Sequence, residues 1–330
     1  MIHRRLTGAL LSVPAPLPGA VAVPAAHAFD VNGRAPAGVS GTGIHRTYDD
    51  KSTCTYLANA VDTGTSPVEL DSWHNVFNGK WDVSHSNPLG SDNNCVQAGT
   101  CADLCTGNRN QNLDSCQNGF YDTLGMSPTE FDGHVKTHLG SVLYPPAELL
   151  TKSDGTRYPD PDTAAKSNNW ANYGSLAGRA MMEIIPGTFE QAVGPASSWS
   201  DVVYAQHPKD FAVAGNISRA AAFPGVLGAQ SVDPRTRYSD TTLRPWFVVF
   251  DAEATAWVGD GDTEWYHTNH CLTVVTDAYD VPPALSSSAP SPADAQARVA
   301  QLAADGASYI SSDWITAPAD GVLGEVLTRG

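Results

Sequence analysis

Apolar positions along this chain come in short runs separated by polar, glycine- and proline-rich stretches. Val39–His45 reads as a first strand in which Gly41, Gly43 and His45 share a face. Two glycines there leave bare backbone beside a histidine, where a ligand could approach closely. Cys54, Leu57, Ala58 and Val61 recur at helical spacing, so Thr53–Asp62 reads as a helix with Gly64 as its stop. In Pro67–Trp73 the apolar Val68 and Leu70 alternate with Glu69 and Asp71, the period of a strand. Strand, helix and strand in this order predict a right-handed crossover and parallel pairing. Trp81–Ser86 is a further extended run, placed on a hairpin or at a strand mouth, and it carries His85.

Asn87–Gly125 contains no buried strand pattern. A loop of that length is unusual in a compact domain, so either cross-links hold it or a strand is lacking there. Regular structure resumes at Ser127-Pro128-Thr129-Glu130, a capping box with proline at the first helical position. Phe131, Val135 and Leu139 form the apolar stripe of that helix and Gly140 ends it. Strands follow at Ala180–Pro186, with Glu183 inside, at Trp246–Phe250, which runs into Asp251 and Glu253, and at Cys271–Asp277. A helix from Ser291 through Ala304, stopped by Gly306, precedes a last strand at Ala307–Trp314. Strands alternating with helical patterns predict a parallel α/β architecture. A (β/α) barrel is the first choice and a doubly wound sheet the second. No glycine fingerprint for a dinucleotide follows the first strand.

Length and composition narrow this picture. The 330 residues carry a formal charge of −16. Residues 1–28 read as a secretory signal: His3, Arg4 and Arg5, an apolar stretch from Leu6 to Ala26, and a small-x-small site at Ala26-His27-Ala28. The remainder, 29–330, is read as one domain, because a single barrel takes roughly 250 residues. The protein is therefore expected outside the cell, as a monomer. Its acidity argues against nucleic acid as a partner, since phosphate-backbone binding needs a basic face. The six cysteines of an exported chain are expected to form disulfides, with fifteen pairings open to them. Cys271 is read as core or bridge, since no activating partner accompanies it.

The chemistry gathers in three pieces: Gly43-Ile44-His45-Arg46-Thr47-Tyr48, Val68-Glu69-Leu70-Asp71 and Val83-Ser84-His85-Ser86-Asn87-Pro88. In a barrel the strand ends that carry them meet on one face, where active sites sit. Two histidines can supply a general base and a general acid. A carboxylate pair suits a hard cation, which can neutralise charge on a phosphoryl oxygen. Taken together, the pieces fit phosphodiester cleavage. His267 and His270 have metal-compatible spacing and are read as loop or strand-mouth residues. Asp251 and Glu253 repeat the acid-x-acid pattern and are read as structural.

These pieces resemble a known family, the secreted, calcium-dependent bacterial phosphoinositide-specific phospholipases C. The resemblance extends through Trp81–Cys95, His138–Leu150, the Ile185-Pro186-Gly187-Thr188 turn, Pro245–Ala254, His267–Ala278 and Asp294–Leu302. It implies a distorted TIM barrel of the phospholipase-C-like phosphodiesterase type. It also implies phosphatidylinositol, or a related phosphodiester at a membrane or micelle surface, as substrate. An inositol hydroxyl would attack phosphorus, releasing diacylglycerol and an inositol phosphate. By the same resemblance His45 and His85 match the catalytic histidines, and Glu69 and Asp71 match calcium ligands, one of them helping to deprotonate the attacking hydroxyl.

Two departures keep alternatives open. The family carries asparagine after the first histidine, as a metal ligand; here Arg46 stands in that place. The family also has a strand with a further acidic ligand before the capped helix, and Asn87–Gly125 offers none, so the barrel is expected to lack one strand. His45-Arg46 followed by Glu69-x-Asp71 is similar to the glycerophosphodiester phosphodiesterases, whose arginine clamps phosphate. The alternatives are thus a glycerophosphodiesterase and a metal-depleted, non-catalytic barrel that binds inositol or phosphate.

Overall fold

Short runs of β-branched and aromatic residues form the strands of a curled sheet, and the segments between them supply its helices. The computed structural model describes residues 33–44, 72–75, 80–83, 128–185, 200–229, 232–260, 263–287, 289–314 and 326–328. In chain order the strands are β1 (Val39–Ile44), β2 (Ser72–Asn75), β3 (Lys80–Val83), β4 (Met182–Ile184), β5 (Ala222–Leu227), β6 (Val249–Glu253), β7 (Leu272–Thr276), β8 (Tyr309–Ser312) and β9 (Val326–Thr328). The helices are α1 (Pro128–Leu139), α2 (Pro146–Leu150), α3 (Pro161–Lys166), α4 (Asp201–Val213), α5 (Ala254–Asp260), α6 (Thr263–Thr268) and α7 (Pro292–Ala304).

The larger sheet has the order β4-β5-β6-β7-β8-β1-β9. From β4 to β1 every pairing is parallel. These six strands curl into a half-barrel consistent with a distorted TIM-like barrel. β1 pairs on its far side with β9, antiparallel, from Val39 to Gly41. The parallel neighbour expected at Pro67–Trp73 is not seen on that edge among the described residues. Ser72 and Trp73 belong instead to β2, which forms an antiparallel pair with β3. The extended run predicted from Trp81 is β3, in the hairpin setting expected of it. Residues 67–71, the helix predicted at Thr53–Asp62, the stretch Asn87–Gly125 and the signal segment 1–28 lie outside the described residues.

The helices that were read from caps form as expected. Gly140, at φ +53°, follows the last residue of α1. Ser291 caps α7, its hydroxyl accepting from the Asp294 amide at 3.2 Å. The helix buries Ala295, Val299 and Leu302. Among the elements that the sequence did not announce, two hold residues that ordinarily break regular structure. Strand β5 holds Pro224 and Gly225 at its centre. Helix α4 holds Pro208 in its interior. Helices α1 and α4 meet through Phe131 and Tyr204, whose rings stand edge to face at 6.3 Å. The His207 Nε2 lies 2.7 Å from the Oδ2 of Asp132, which is buried.

The segment 143–176 determines which end of the half-barrel is open. Tyr144 N donates to Ala180 O at 2.8 Å, just ahead of β4. Trp170 Nε1 donates to His270 O at 2.9 Å, just ahead of β7. Tyr173 N donates to Arg34 O at 2.7 Å, ahead of β1. The segment therefore lies across the amino-terminal ends of the strands. Tyr144, Trp170 and Phe223 stack there with ring centroids 5.7–6.4 Å apart. That aromatic floor leaves the carboxyl ends of the strands as the face that can admit a ligand.

No helix among the described residues is long and apolar enough to cross a membrane.

Candidate active site at the carboxyl ends of the strands

Register assigns the side chains of this face. In β6, Phe250 packs against α6, with Trp265 at 5.8 Å and Tyr266 at 5.1 Å between ring centroids. Alternation then puts Val249, Asp251 and Glu253 on the opposite, inner face. Asp251 pairs with Val274 and Val274 with Tyr309, and Tyr309 pairs with Gly41. On the other side Asp251 pairs with Leu227, which shares a face with Gly225 and Phe223, and Phe223 pairs with Glu183. The inner face thus carries Glu183, Asp251, Tyr309 and Ser311 beside the bare backbone of Gly41 and Gly43. The glycine face read from the sequence is the inner one.

The electrostatics of this face are acidic. Burial, and then the neighbouring Asp251 carboxylate, push the Glu183 carboxyl up to about 8. Burial, and then Glu183, push the Tyr309 phenol well above its ordinary value. At the rim, Asp277 follows β7 in a left-handed conformation, φ +54°. Burial first, then Asp277 by charge and hydrogen bond, then Asp313 and Asp280, push Tyr279 up to about 12. Carboxylates at a partly dry rim favour a cation, and all-oxygen donors are the chemistry of a hard one. The set fits calcium in donor type. Among the described residues alone, no group of three His, Cys, Asp or Glu could hold an ion.

His45 and Arg46 come directly after Ile44, the last residue of β1, at the carboxyl end of that strand. His45, Arg46, Glu69, Asp71 and His85 themselves lie outside the described residues. His267 and His270 sit at the other end. His267 belongs to α6, and His270, at φ +51°, precedes β7 and accepts from Trp170. They are strand-entry residues, away from the mouth. Cys271 is fully buried, and the other five cysteines lie outside the described residues. The sequence reading passed over Tyr309 and Ser311. The alternation of the last strand was the signal that could have found them.

A curled parallel sheet with its polar side chains at the carboxyl ends of the strands defines an enzyme domain of the α/β barrel class. Comparison with solved structures makes the class specific. A calcium-dependent phosphatidylinositol-specific phospholipase C from Streptomyces antibioticus is 38% identical, with a TM-score of 0.76, over 90% of this chain and 99% of that one. The chain belongs to this calcium-dependent phosphatidylinositol-specific phospholipase C family. A calcium-dependent phosphoinositol-specific phospholipase C from Pseudomonas sp shares the fold at 14% identity, with a TM-score of 0.60, over 90% of this chain and 96% of that one. No protein-family model matches the chain, and no curated protein does.

Proposed function

We propose that this protein is a calcium-dependent phosphodiesterase that cleaves phosphatidylinositol at the glycerol–phosphate ester. The observation that carries the reading is the 38% identity to the Streptomyces enzyme over 90% of the chain. An acidic, oxygen-lined barrel mouth is in keeping with it.

In this reading an inositol hydroxyl attacks phosphorus, and its proton passes to a carboxylate of the Glu69–Asp71 pair. The phosphorus–oxygen bond to glycerol breaks, and a histidine returns a proton to the leaving alkoxide, giving diacylglycerol. The first product is a cyclic inositol phosphate, which water can open by the reverse sequence of proton transfers. His45 and His85 divide the work of stabilising the phosphorane and protonating the leaving group. Glu69 and Asp71 would hold the calcium. When bound, the ion neutralises charge on a phosphoryl oxygen. Arg46 offers a planar cation to the same phosphate. The leader at 1–28 is removed, disulfides join the exported cysteines, and the monomer acts outside the cell at a lipid surface.

The deciding measurement is phosphorus NMR of the purified protein with phosphatidylinositol micelles, first with calcium and then with excess chelator. Inositol phosphate that appears only with calcium is the expected result. Turnover that survives the chelator would assign the cation's role to Arg46. Cleavage of glycerophosphocholine in preference to the intact lipid would replace this reading by a glycerophosphodiesterase. Headgroup binding without turnover in either condition would leave a non-catalytic barrel.

A further inference from the structure

The turn that follows β7 is held from outside by two buried side chains. Arg298 of α7 spans it with a buried guanidinium. Its Nη1 donates to Ala278 O at 2.7 Å and its Nη2 to Pro283 O at 2.9 Å. Its Nε donates to Gln301 Oε1 of the same helix at 3.2 Å, which fixes the plane of the fork. Trp314, buried just past β8, donates its Nε1 to Ser286 O at 2.8 Å and pins the far limb. Within the turn Val281 is buried, and the Leu285 amide donates to Tyr279 O at 2.8 Å.

Among the described residues no carboxylate pairs with Arg298, and burial lowers its pKa. A buried cation held by carbonyls alone is a destabilising way to join two segments, and apolar packing of the same volume would join them without that penalty. What the guanidinium adds is direction, because a planar fork sets the orientation of both carbonyls at once. The segment it orients is the rim of the mouth. Asp277 leaves β7 in a left-handed conformation, φ +54° and ψ +43°, which a non-glycine residue keeps where its surroundings impose it. Its carboxylate accepts from the Tyr279 hydroxyl, and the phenol also feels Asp313, the residue next after β8. The Asp277–Tyr279 pair therefore stands at the carboxyl ends of β7 and β8, on the open face. Asp277 and Tyr279 flank Ala278, the residue whose carbonyl Arg298 holds.

We propose that Arg298 is a positioning residue for the reaction: by fixing Ala278 and Pro283 it keeps the Asp277–Tyr279 pair in the geometry that turnover requires. The assignment rests on the phosphatidylinositol reading above. Arg298 is buried under the turn and acts through it.

The test uses the full-length protein with calcium and phosphatidylinositol micelles. Arg298→Met replaces the fork by an apolar chain. It is expected to lower kcat by about ten- to a hundredfold, the effect of a small misplacement in a site. KM should change little, because the loss falls on the transition state. Asp277→Asn should lower kcat by itself, and adding Arg298→Met to it should then cost little more, since the turn no longer has a carboxylate to position. A merely structural role predicts the opposite, the same fractional loss in both backgrounds. Hydrogen–deuterium exchange should rise within 277–286 in Arg298→Met, a readout independent of activity. If Arg298→Met fails to fold, Arg298→Lys, which keeps the charge without the fork, is read in the same cycle. Unchanged kcat in the folded variant, or a full further loss on top of Asp277→Asn, overturns this inference alone. A folded wild type that does not cleave the lipid overturns the phosphatidylinositol reading and this one together.

Discussion

Gly225 of β5 lies against Ile185, just past β4. A Cβ built on Gly225 would meet Ile185 Cγ1 at 2.6 Å and the Ile184 carbonyl oxygen at 3.2 Å. The first distance is below any real contact, and the second involves backbone that cannot swing aside. This close approach lets the edge of the half-barrel curl inward and brings Glu183 toward Asp251. Gly225→Ala is therefore expected to destabilise the protein by about 1–3 kcal/mol, the usual penalty for overpacking. Thermal unfolding followed by circular dichroism reads the effect. A melting temperature unchanged from wild type would show that the two strands have slack the geometry denies.

Arg235 ties the outer layer together from a buried position. Its Nη1 donates to Asp162 Oδ1 at 2.8 Å and to Phe247 O at 3.1 Å, and its Nε donates to Asp233 Oδ1 at 2.8 Å. The guanidinium also lies 4.9 Å from the Trp265 ring centroid. Three directions of hydrogen bonding and an aromatic face demand a planar fork, which lysine cannot supply. Arg235→Ala leaves Asp162 and Asp233 without their shared cation, and about 3–5 kcal/mol of destabilisation is expected. Arg235→Lys should recover only part of it. Urea unfolding of both variants checks this, and equal stability of the lysine variant and wild type would contradict it.

Much of the half-barrel was legible because its strands and caps obey local rules. β1, β6, β7 and β8, and helices α1 and α7, announce themselves by alternation, capping serine or proline at the first turn. β5 did not, because Pro224 and Gly225 at its centre are the residues that ordinarily break a strand. Here tertiary packing overrides propensity: the glycine is needed for the approach to Ile185. Helix α4 was hidden by Pro208 in its interior and by the weak separation of its polar and apolar residues. Helix α3 had a usable signal that was passed over. Asp160 caps it by accepting from the Thr163 amide at 2.7 Å, with Pro161 at the first position. The inner face was half legible. Glycines at alternate positions pointed to a bare wall, but the Glu183–Asp251–Tyr309 grouping joins residues far apart in sequence, and only the register of five strands brings it together. The antiparallel pairing of β9 with β1 was illegible for the same reason.

The raised Glu183 carboxyl makes a pH prediction with a definite sign. Its value is about 8 in the folded protein against an ordinary 4.5. Between these values the folded state holds a proton that the unfolded state has lost, so stability falls as pH rises. The contribution is fully present below about 4.5 and gone once pH has passed about 8. In calcium-free buffer, wild-type stability minus that of Glu183→Gln should decline across this window and flatten above it. Chemical denaturation at several pH values measures the difference. A difference independent of pH would mean that Glu183 is ionised throughout.

The proposed catalytic histidines give the sharpest functional prediction. His45 follows β1 at the open end of the half-barrel, and His85 follows β3 by one intervening residue. If one stabilises the phosphorane while the other protonates the leaving alkoxide, each acts in the same transition state. His45→Ala and His85→Ala should each lower kcat by about 10²–10⁴-fold with little change in KM. The double variant should fall well short of the product of the two losses, because groups acting as a unit are not additive. A substrate whose leaving alcohol is far more acidic than glycerol needs no proton at departure. It should therefore rescue the variant that lacks the general acid and leave the other impaired, which tells the two roles apart. Near-wild-type turnover in both single variants would remove these histidines from the mechanism and place the acid–base chemistry elsewhere on the rim.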